Sequence, residues 1–369
     1  MINKSDGSPL NAATFVVTCA AALIAVCLLL HPQSAVAADA MAQTGTKFKA
    51  DADMQSVLDA LAAMKGKPIE SLTPAEARAQ PTPTDAVMAV LKKQGKDTRP
   101  TALVPGVTST DREIPGAAGP MAARVYTPEG KGPFPVVVYF HGGGWIIANK
   151  EIYDGGARGI AKQANAIVIS VDYRLAPEAK FPAAWDDAFA AYKWAAANAV
   201  SINGNPKKMG LAGESAGANL AISTAIAVRD AGMQKPLAVL AVYPVAQTGN
   251  LSTASYVDSA TAKPLNKAMI EWFVGHLFKS PADKADPRID LVRANLAGLP
   301  PVTIINAQID PLREDGMLIA DALKKAGVKV DRRIFDGVTH EFFGTAAAVK
   351  DAGEAQKYAG QQLRQAFGK

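Results

Sequence analysis

Apolar and polar positions alternate along most of the chain with two different periods. Short apolar runs rich in β-branched residues have the pattern of buried strands, namely Val136 to Phe140, Ile167 to Tyr173, Lys208 to Ala212, Leu237 to Tyr243 and Val302 to Ala307. Between these runs, apolar residues recur at helical spacing at Ala183 to Ala197, Ala216 to Asp230 and Arg313 to Ala326. Strands that alternate with helices predict an α/β fold, in which helices cover both faces of a mostly parallel sheet.

Two other segments do not follow this alternation. From Ala50 to about Thr98 the apolar residues have helical spacing, and Thr73 to Glu76 has the pattern of a capped helix start. The segment Ser252 to Ala297 carries aromatic residues, prolines and charges without a strand pattern. We expect a helical cap at about residues 45–100 and 250–297 that covers the site of chemistry. An ordinary long surface connection is the alternative for the second segment.

The first 38 residues have the pattern of a signal peptide. A polar start with Lys4 precedes the apolar stretch Asn11 to Leu30, and small residues suited to cleavage follow at Ser34 to Ala38. We therefore expect a periplasmic or secreted mature domain at residues 39–369, without stable membrane association after cleavage. A membrane anchor formed by an uncleaved N-terminal helix is the alternative, because the apolar stretch approaches the roughly 20 residues that a bilayer crossing needs.

Composition narrows the classes of function. The 369 residues are 49% hydrophobic and 20% charged, which excludes a disordered chain. The net charge of +5 is small and its cations are dispersed, so we expect no nucleic-acid partner and a small-molecule substrate instead. Cys19 and Cys27 lie in the predicted signal peptide, and the four histidines lack the spacing of metal ligands. We expect neither a metal nor a cofactor, and an exposed edge strand would allow a homodimer.

The strongest local motif surrounds Ser215. It reads Gly-Glu-Ser-Ala-Gly at 213–217, after a predicted strand and before a helix of small residues. A serine nucleophile on such a strand-to-helix turn requires small residues two positions before and after it, and Gly213 and Gly217 meet this requirement. We predict that Ser215 is the nucleophile of an acyl-transfer reaction.

A second motif, His-Gly-Gly-Gly-Trp at 141–145, follows the predicted strand that ends at Phe140. Three consecutive glycines are entropically costly unless the backbone itself must approach a ligand closely. We predict that the N–H groups of Gly143, Gly144 and Ala216 form an oxyanion hole for the substrate carbonyl.

Three histidines compete for the role of general base. His141 precedes the glycine loop, where it can hold the loop by hydrogen bonds, and His276 falls in the predicted cap. His340 follows the last predicted strand and precedes the C-terminal helix, so His340 is the predicted base. The order serine, acid, histidine is the one that this kind of fold uses.

The acid that orients the base must lie between Ser215 and His340. Asp310 stands after the predicted strand at 302–307, where its carboxylate can accept the Nδ1 proton of His340. Glu314 and Asp315 are competitors, but they fall inside the following helix and are expected to serve its N-terminal dipole.

Taken together, these motifs resemble the hormone-sensitive lipase family of α/β-hydrolases, in its bacterial esterase branch. The resemblance rests on five blocks in the family's order, at 141–145, 172–178 with 181–184, 213–217, 243–244 and 310–313. It implies an eight-stranded α/β-hydrolase sheet and cofactor-free hydrolysis of short- to medium-chain carboxylic esters. It also implies that Asp172 and Arg174 are structural, as an ion-paired corner.

The chain departs from the family's pattern beside two of these residues. Glu341 follows the predicted base where the family usually has glycine, and Glu214 precedes the serine where aspartate or threonine is commoner. We expect Glu341 to raise the pKa of His340. Three other functions remain open on the same motifs: an acyltransferase, a lactone or small-amide hydrolase, and a non-catalytic small-molecule receptor.

Overall fold

The computed structural model describes residues 46–368. The predicted signal peptide at 1–38 and both cysteines lie outside the described residues. Between residues 46 and 368, none of the helices combines the length and the apolar character that a membrane crossing requires.

One eight-stranded sheet forms the centre of residues 46–368. In chain order its strands are β1 Val107–Pro115, β2 Pro120–Pro128, β3 Phe134–Phe140, β4 Ile167–Val171, β5 Gly204–Glu214, β6 Val239–Val242, β7 Val302–Ile309 and β8 Val330–Thr339. Their spatial order is β1-β2-β4-β3-β5-β6-β7-β8. The β1–β2 and β2–β4 pairs are antiparallel and the other neighbouring pairs are parallel, so the predicted mostly parallel sheet is confirmed.

Helices lie before, between and after the strands. In chain order the α-helices are α1 Ala52–Ala63, α2 Pro74–Arg78, α3 Pro83–Lys93, α4 Pro100–Leu103, α5 Asp154–Ala164, α6 Ala183–Asn198, α7 Ala216–Asp230, α8 Ala254–Asp258, α9 Lys267–Leu277, α10 Arg313–Lys325 and α11 Lys350–Ala366. Short 3₁₀ helices lie at Ile69–Ser71, Ala199–Ile202, Pro281–Ala285, Leu291–Arg293 and Phe342–Thr345.

The sheet is buried on both faces. Every residue of β3 is buried, and its side chains alternate between two apolar clusters: Val138 packs in the cluster that contains α6 and α7, and Tyr139 in the cluster that contains α5 and α11. A two-sided core of this kind is the reason why the central strands read as continuous apolar runs.

Several strand boundaries differ from the prediction by one to four residues. The strand predicted to end at Tyr173 ends at Val171, and the Tyr173 hydroxyl donates to the carbonyl of His141 at 2.7 Å. The strand predicted to begin at Leu237 begins at Val239, and Leu237 is 37% exposed. The β1–β2 hairpin was not predicted, since most of β1 is exposed and lacks an apolar pattern.

Several strands end at the same edge of the sheet. The residues that follow β3, β5, β7 and β8 are His141, Ser215, Asp310 and His340. Because these strands are parallel, their carboxyl ends bring the four side chains to one edge.

The two segments outside the strand–helix alternation meet above this edge. The helix α2 begins with the capping box predicted at Thr73 and Glu76. The indole Nε1 of Trp272, in α9, donates to the carbonyl of Leu72 at 3.0 Å and so joins the insertion to the N-terminal helices. Arg78 ties these helices to the loops at the edge of the sheet, because its guanidinium donates to the carbonyls of Ile146 and Ala176 at 2.8 and 2.9 Å.

Candidate active site

Ser215, His340 and Asp310 form one hydrogen-bonded chain. His340 Nε2 lies 2.9 Å from Ser215 Oγ, and His340 Nδ1 lies 2.8 Å from Asp310 Oδ2. Their exposed fractions are 5% for the serine, 2% for the histidine and 0% for the aspartate. The structure thus brings together the three residues that the sequence predicts as nucleophile, base and acid.

The backbone at Ser215 has the conformation of a tight strand-to-helix turn. Its φ of 58° and ψ of −119° are unfavourable for a residue with a side chain. The turn depends on its flanking glycines, because a Cβ at Gly213 would lie 2.1 Å from the carbonyl oxygen of Gly217, and a Cβ at Gly217 would lie 2.0 Å from that of Phe140. The structure therefore explains both glycines of the motif by steric exclusion.

Three carboxyl groups act on the charge state of His340. Burial lowers the pKa of the imidazole, but the charge and hydrogen bond of Asp310, together with the charges of Glu341 and Glu214, raise it above its usual value. Asp310 is itself fixed by the backbone N–H of Leu312, which donates to its Oδ1 at 2.8 Å. An aspartate in this position holds the tautomer in which Nε2 can accept a proton from serine.

The two competing acids serve other purposes. Glu314 and Asp315 both lie in the first turn of α10, as predicted. Glu314 accepts a hydrogen bond from the backbone N–H of Ser255 at 3.0 Å. Asp315 is buried and accepts from Gln247 Nε2 at 3.2 Å, and burial raises its pKa well above the usual value. Neither carboxylate contacts His340.

The other two described histidines lie outside the hydrogen-bonded chain. His141 stacks on Tyr173 with ring centroids 4.3 Å apart, and its Nδ1 lies 2.8 Å from the carbonyl oxygen of Gly142. Burial lowers the pKa of His141, which favours a neutral ring that holds the glycine loop. His276 lies in α9, where its Nδ1 is 2.9 Å from the carbonyl oxygen of Trp272.

The glycine loop presents its backbone to the cavity. Gly143 and Gly144 have φ values of 93° and 59°, and both line the cavity together with Ser215. Among residues 46–368, the N–H groups of Gly143, Gly144 and Ala216 have no hydrogen-bond acceptor. Ala216 is also the first residue of α7, where N–H groups are unpaired and the helix dipole is positive. The three N–H groups predicted as oxyanion donors therefore have no acceptor within the described residues.

A cavity of about 410 Å³ opens onto Ser215 and His340. Residues of the N-terminal helices and of the insertion supply much of its wall. Its apolar lining includes Leu58, Leu61, Ile69, Ile147, Ile152, Leu265, Met269 and Phe273. The cavity therefore offers an apolar compartment directly beside the serine.

A buried cluster of tyrosines and carboxyl groups lies behind the serine and was not predicted from the sequence. Glu214 accepts hydrogen bonds from the hydroxyls of Tyr139, at 2.5 Å, and Tyr243. Burial raises the pKa of Glu214 to about 7. The hydroxyl of Tyr153 donates to Glu341 at 2.5 Å. The only signal in the sequence was the departure from the family's pattern at the two glutamates.

The ion pairs at Asp172 and Arg174 differ from the predicted corner. Asp172 pairs with Lys150 at 2.8 Å, and Arg174 pairs with the buried Asp187 at 2.7 Å. The two residues are structural, as expected, but each has its own partner. Arg174 reaches Asp187 because α6 places this carboxylate beside the loop that follows β4.

Comparisons with known proteins agree with this geometry. A family model described as alpha/beta hydrolase fold matches residues 137–344, which include the serine, the aspartate and the histidine. The carboxylesterase NlhH of Mycobacterium tuberculosis is 39% identical over 237 residues, 63% of this chain and 74% of that protein. An ethyl acetate hydrolase of Pseudomonas putida is 29% identical over 320 residues, 85% of this chain and 96% of that protein. A solved hyperthermophilic esterase from the archaeon Pyrobaculum calidifontis has a TM-score of 0.77 and 32% identity, over 86% of this chain and 98% of that chain.

Proposed function

Because the chain belongs to the hormone-sensitive lipase-like family of α/β-hydrolases, we propose that it is a serine carboxylesterase that acts through an acyl-enzyme on Ser215. The observation that carries this proposal is the continuous chain of hydrogen bonds from Ser215 through His340 to Asp310, at 2.9 and 2.8 Å.

In the first half of the reaction, Ser215 Oγ attacks the ester carbonyl carbon while His340 Nε2 takes the hydroxyl proton. The carbonyl oxygen becomes negatively charged and accepts hydrogen bonds from the N–H groups of Gly143, Gly144 and Ala216. Asp310 stabilises the imidazolium that forms. The tetrahedral intermediate then collapses, the bond to the alcohol oxygen breaks, and His340 returns its proton to the departing alcohol.

In the second half, water repeats the same step on the acyl-enzyme. His340 takes a proton from the water, the resulting oxygen attacks the acyl carbon, and the released Ser215 Oγ recovers the proton. The elevated pKa of His340 favours the protonated ring at the moment when each tetrahedral intermediate forms. Neither half-reaction draws on a group from outside the chain, apart from the ester and water.

The cavity favours short to medium acyl chains. Its volume of about 410 Å³ lies toward the lower end of the range of about 300–1,000 Å³ that small-molecule sites occupy. The wall is closed on one side by Phe273, whose ring would be only 2.3 Å from a Cβ at Gly144. We expect this aromatic wall to limit the length of the acyl group.

Hydrolysis of p-nitrophenyl esters from acetate to palmitate tests the proposal. We expect kcat/KM of the purified enzyme to peak at short or medium chains, and Ser215→Ala to lower kcat by about 10⁴-fold or more. Ser201→Ala is a matched control, because Ser201 is exposed and lies before β5, away from the cavity. Acid-quenched enzyme should carry one acyl group on the peptide that contains Ser215.

Two results would count against the proposal. Undiminished hydrolysis by a folded Ser215→Ala variant would exclude the acyl-enzyme on this serine. A folded enzyme without activity on any ester of the series would favour the receptor function, and ligand binding would then be measured instead.

A further inference from the structure

Glu341 lies beside the atom of His340 that handles the proton of the reaction. Its Oε1 is 3.8 Å from His340 Nε2, and its side chain lines the cavity together with Ser215. In the proposed mechanism, the Nε2 atom returns the proton to the departing alcohol. The alcohol half of an ester must therefore pass within reach of Glu341.

The backbone at Glu341 is in an unusual conformation for a residue with a long side chain. Its φ of 70° is in the left-handed region, where glycine is favoured. Strain at a catalytic cavity is commonly retained because the strained side chain has a function there. A glycine would adopt this conformation without strain but would have no carboxyl group, so the carboxyl group is the feature to which a function is assigned below.

This carboxyl group is held in place and remains accessible. The hydroxyl of Tyr153, a residue that is 5% exposed, donates to its Oε1 at 2.5 Å. In the part of the chain that the structure describes, no group donates to its second oxygen, Oε2. The side chain of Glu341 is 21% exposed and lines the cavity, so this carboxyl group can accept a further hydrogen bond there.

On the basis of the esterase function proposed above, we propose that Glu341 forms a subsite for the alcohol half of the substrate and accepts a hydrogen bond from a hydroxyl there. Partial esters of diols and polyols are then the preferred substrate class. Much of the remaining wall of the cavity is apolar, with Leu58, Leu61 and Ile69 among its residues. A substrate hydroxyl that did not reach Glu341 would lose its hydrogen bonds to water without replacement.

The same subsite receives the acyl acceptor when the acyl-enzyme is broken down. The acceptor oxygen forms a bond to the acyl carbon, its proton passes to His340 Nε2, and Ser215 Oγ leaves and takes that proton. A diol bound through its second hydroxyl to Glu341 would therefore compete better for the acyl group than a simple alcohol of the same size.

Two butanoate esters of nearly equal size test the subsite. The ratio of kcat/KM for 2-hydroxyethyl butanoate to that for propyl butanoate is measured in the wild type, Glu341→Gly and Glu341→Gln. We expect the ratio to fall about tenfold in Glu341→Gly, as for loss of a hydrogen bond to a charged group, and less in Glu341→Gln, whose amide oxygen still accepts. Asp336→Asn removes an exposed carboxylate from β8 and should leave the ratio unchanged.

An unchanged ratio in an active Glu341→Gly enzyme would overturn the subsite and leave the esterase proposal intact. Failure of the esterase proposal itself would give a different result: the wild type and Ser215→Ala would hydrolyse both esters equally well. If Glu341→Gly does not fold, the wild type alone provides the test. With p-nitrophenyl butanoate and equal concentrations of ethylene glycol and 1-propanol, we expect more hydroxyethyl ester than propyl ester. Equal yields, or more propyl ester, would overturn the subsite.

Discussion

The ring of Tyr243 lies against the imidazole of His340, with centroids 4.4 Å apart, and its hydroxyl donates to the carboxyl group of Glu214. Tyr139 donates to the other carboxyl oxygen at 2.5 Å. Glu214 directly precedes Ser215 and is 1% exposed. Glu214 is therefore a buried acid that accepts two hydrogen bonds directly before Ser215, the proposed nucleophile. One of its donors, Tyr243, also packs against His340, the proposed base.

The buried acid gives the fold a specific dependence on pH. Burial raises the pKa of Glu214 from 4.5 to about 7. The folded protein then binds this proton more tightly than the unfolded chain, so the free energy of unfolding falls as pH rises from about 4.5 to about 7. A shift of this size corresponds to about 3 kcal/mol. The glutamine of Glu214→Gln cannot titrate. Over this pH range we therefore expect the free energy of unfolding of the variant to fall by about 3 kcal/mol less than that of the wild type.

Guanidinium unfolding at pH 4.5 and pH 8 measures the difference. Glu113→Gln, which removes an exposed carboxylate from β1, should follow the wild type. Parallel pH profiles of the wild type and Glu214→Gln would contradict the prediction.

Asp310→Asn should inactivate the enzyme without unfolding it. The amide can still contact His340 but stabilises the wrong tautomer and no longer stabilises the imidazolium, so we expect kcat to fall about 10⁴-fold. Steady-state hydrolysis of p-nitrophenyl butanoate measures the effect. Glu314→Gln, a change four residues away in the first turn of α10, should change kcat by less than about threefold, since Glu314 only binds a backbone N–H. Comparable losses in both variants would argue against Asp310 as the orienting acid.

The acid limb of the pH–rate profile should depend on Glu341. Burial lowers the pKa of His340, but the charge and hydrogen bond of Asp310 and the charges of Glu341 and Glu214 together raise it above 6.5. The imidazole must be neutral to accept the proton of Ser215, so kcat/KM falls as pH decreases through this pKa. Removing the charge in Glu341→Gly lowers the pKa and should move the acid limb to lower pH. An unmoved limb, or a shift to higher pH, would show that this charge does not act on His340.

Gly143→Ala should damage catalysis more than stability. A Cβ at this position would lie 2.2 Å from the carbonyl oxygen of Ile147, and φ is 93°, so the loop must shift and misplace its N–H groups. Loss of one oxyanion donor lowers kcat by about 10²–10³-fold, and we expect a loss of that order.

The matched control for this change is Gly275→Ala. Gly275 lies in α9, and a Cβ there meets nothing within 4 Å. The change should leave kcat unaltered and increase the free energy of unfolding by up to about 1 kcal/mol. Equal kcat values for the two variants would argue against the assigned oxyanion hole.

The candidate catalytic residues were predictable because the proposed chemistry constrains the local sequence. The turn at Ser215 requires small residues two positions before and after it, and the order of serine, acid and histidine follows the order of parallel strands. The central strands were predictable for a similar reason, since a strand buried on both faces must be apolar throughout. The edge strand β1 has no such constraint, and its exposed residues left no pattern.

The partners of the charged residues could not be predicted from sequence. Arg174 lies 13 positions from Asp187, and only the path of the chain between β4 and α6 brings them together. The same holds for Tyr153 and Glu341, which are 188 residues apart. No motif in the sequence marks either pair, so the proposed subsite beside His340 could be inferred only from the three-dimensional structure.

Arg78 connects the N-terminal helices, which line the cavity, to the loop that follows β3. Its guanidinium donates to the carbonyl of Ile146, which closely follows the oxyanion loop. Any outward movement of these helices that admits a bulkier ester must therefore lengthen or break this hydrogen bond. Arg78 would thereby couple substrate size to turnover: an arm that opens more readily would broaden the range of esters and would loosen the glycine loop beside Ser215.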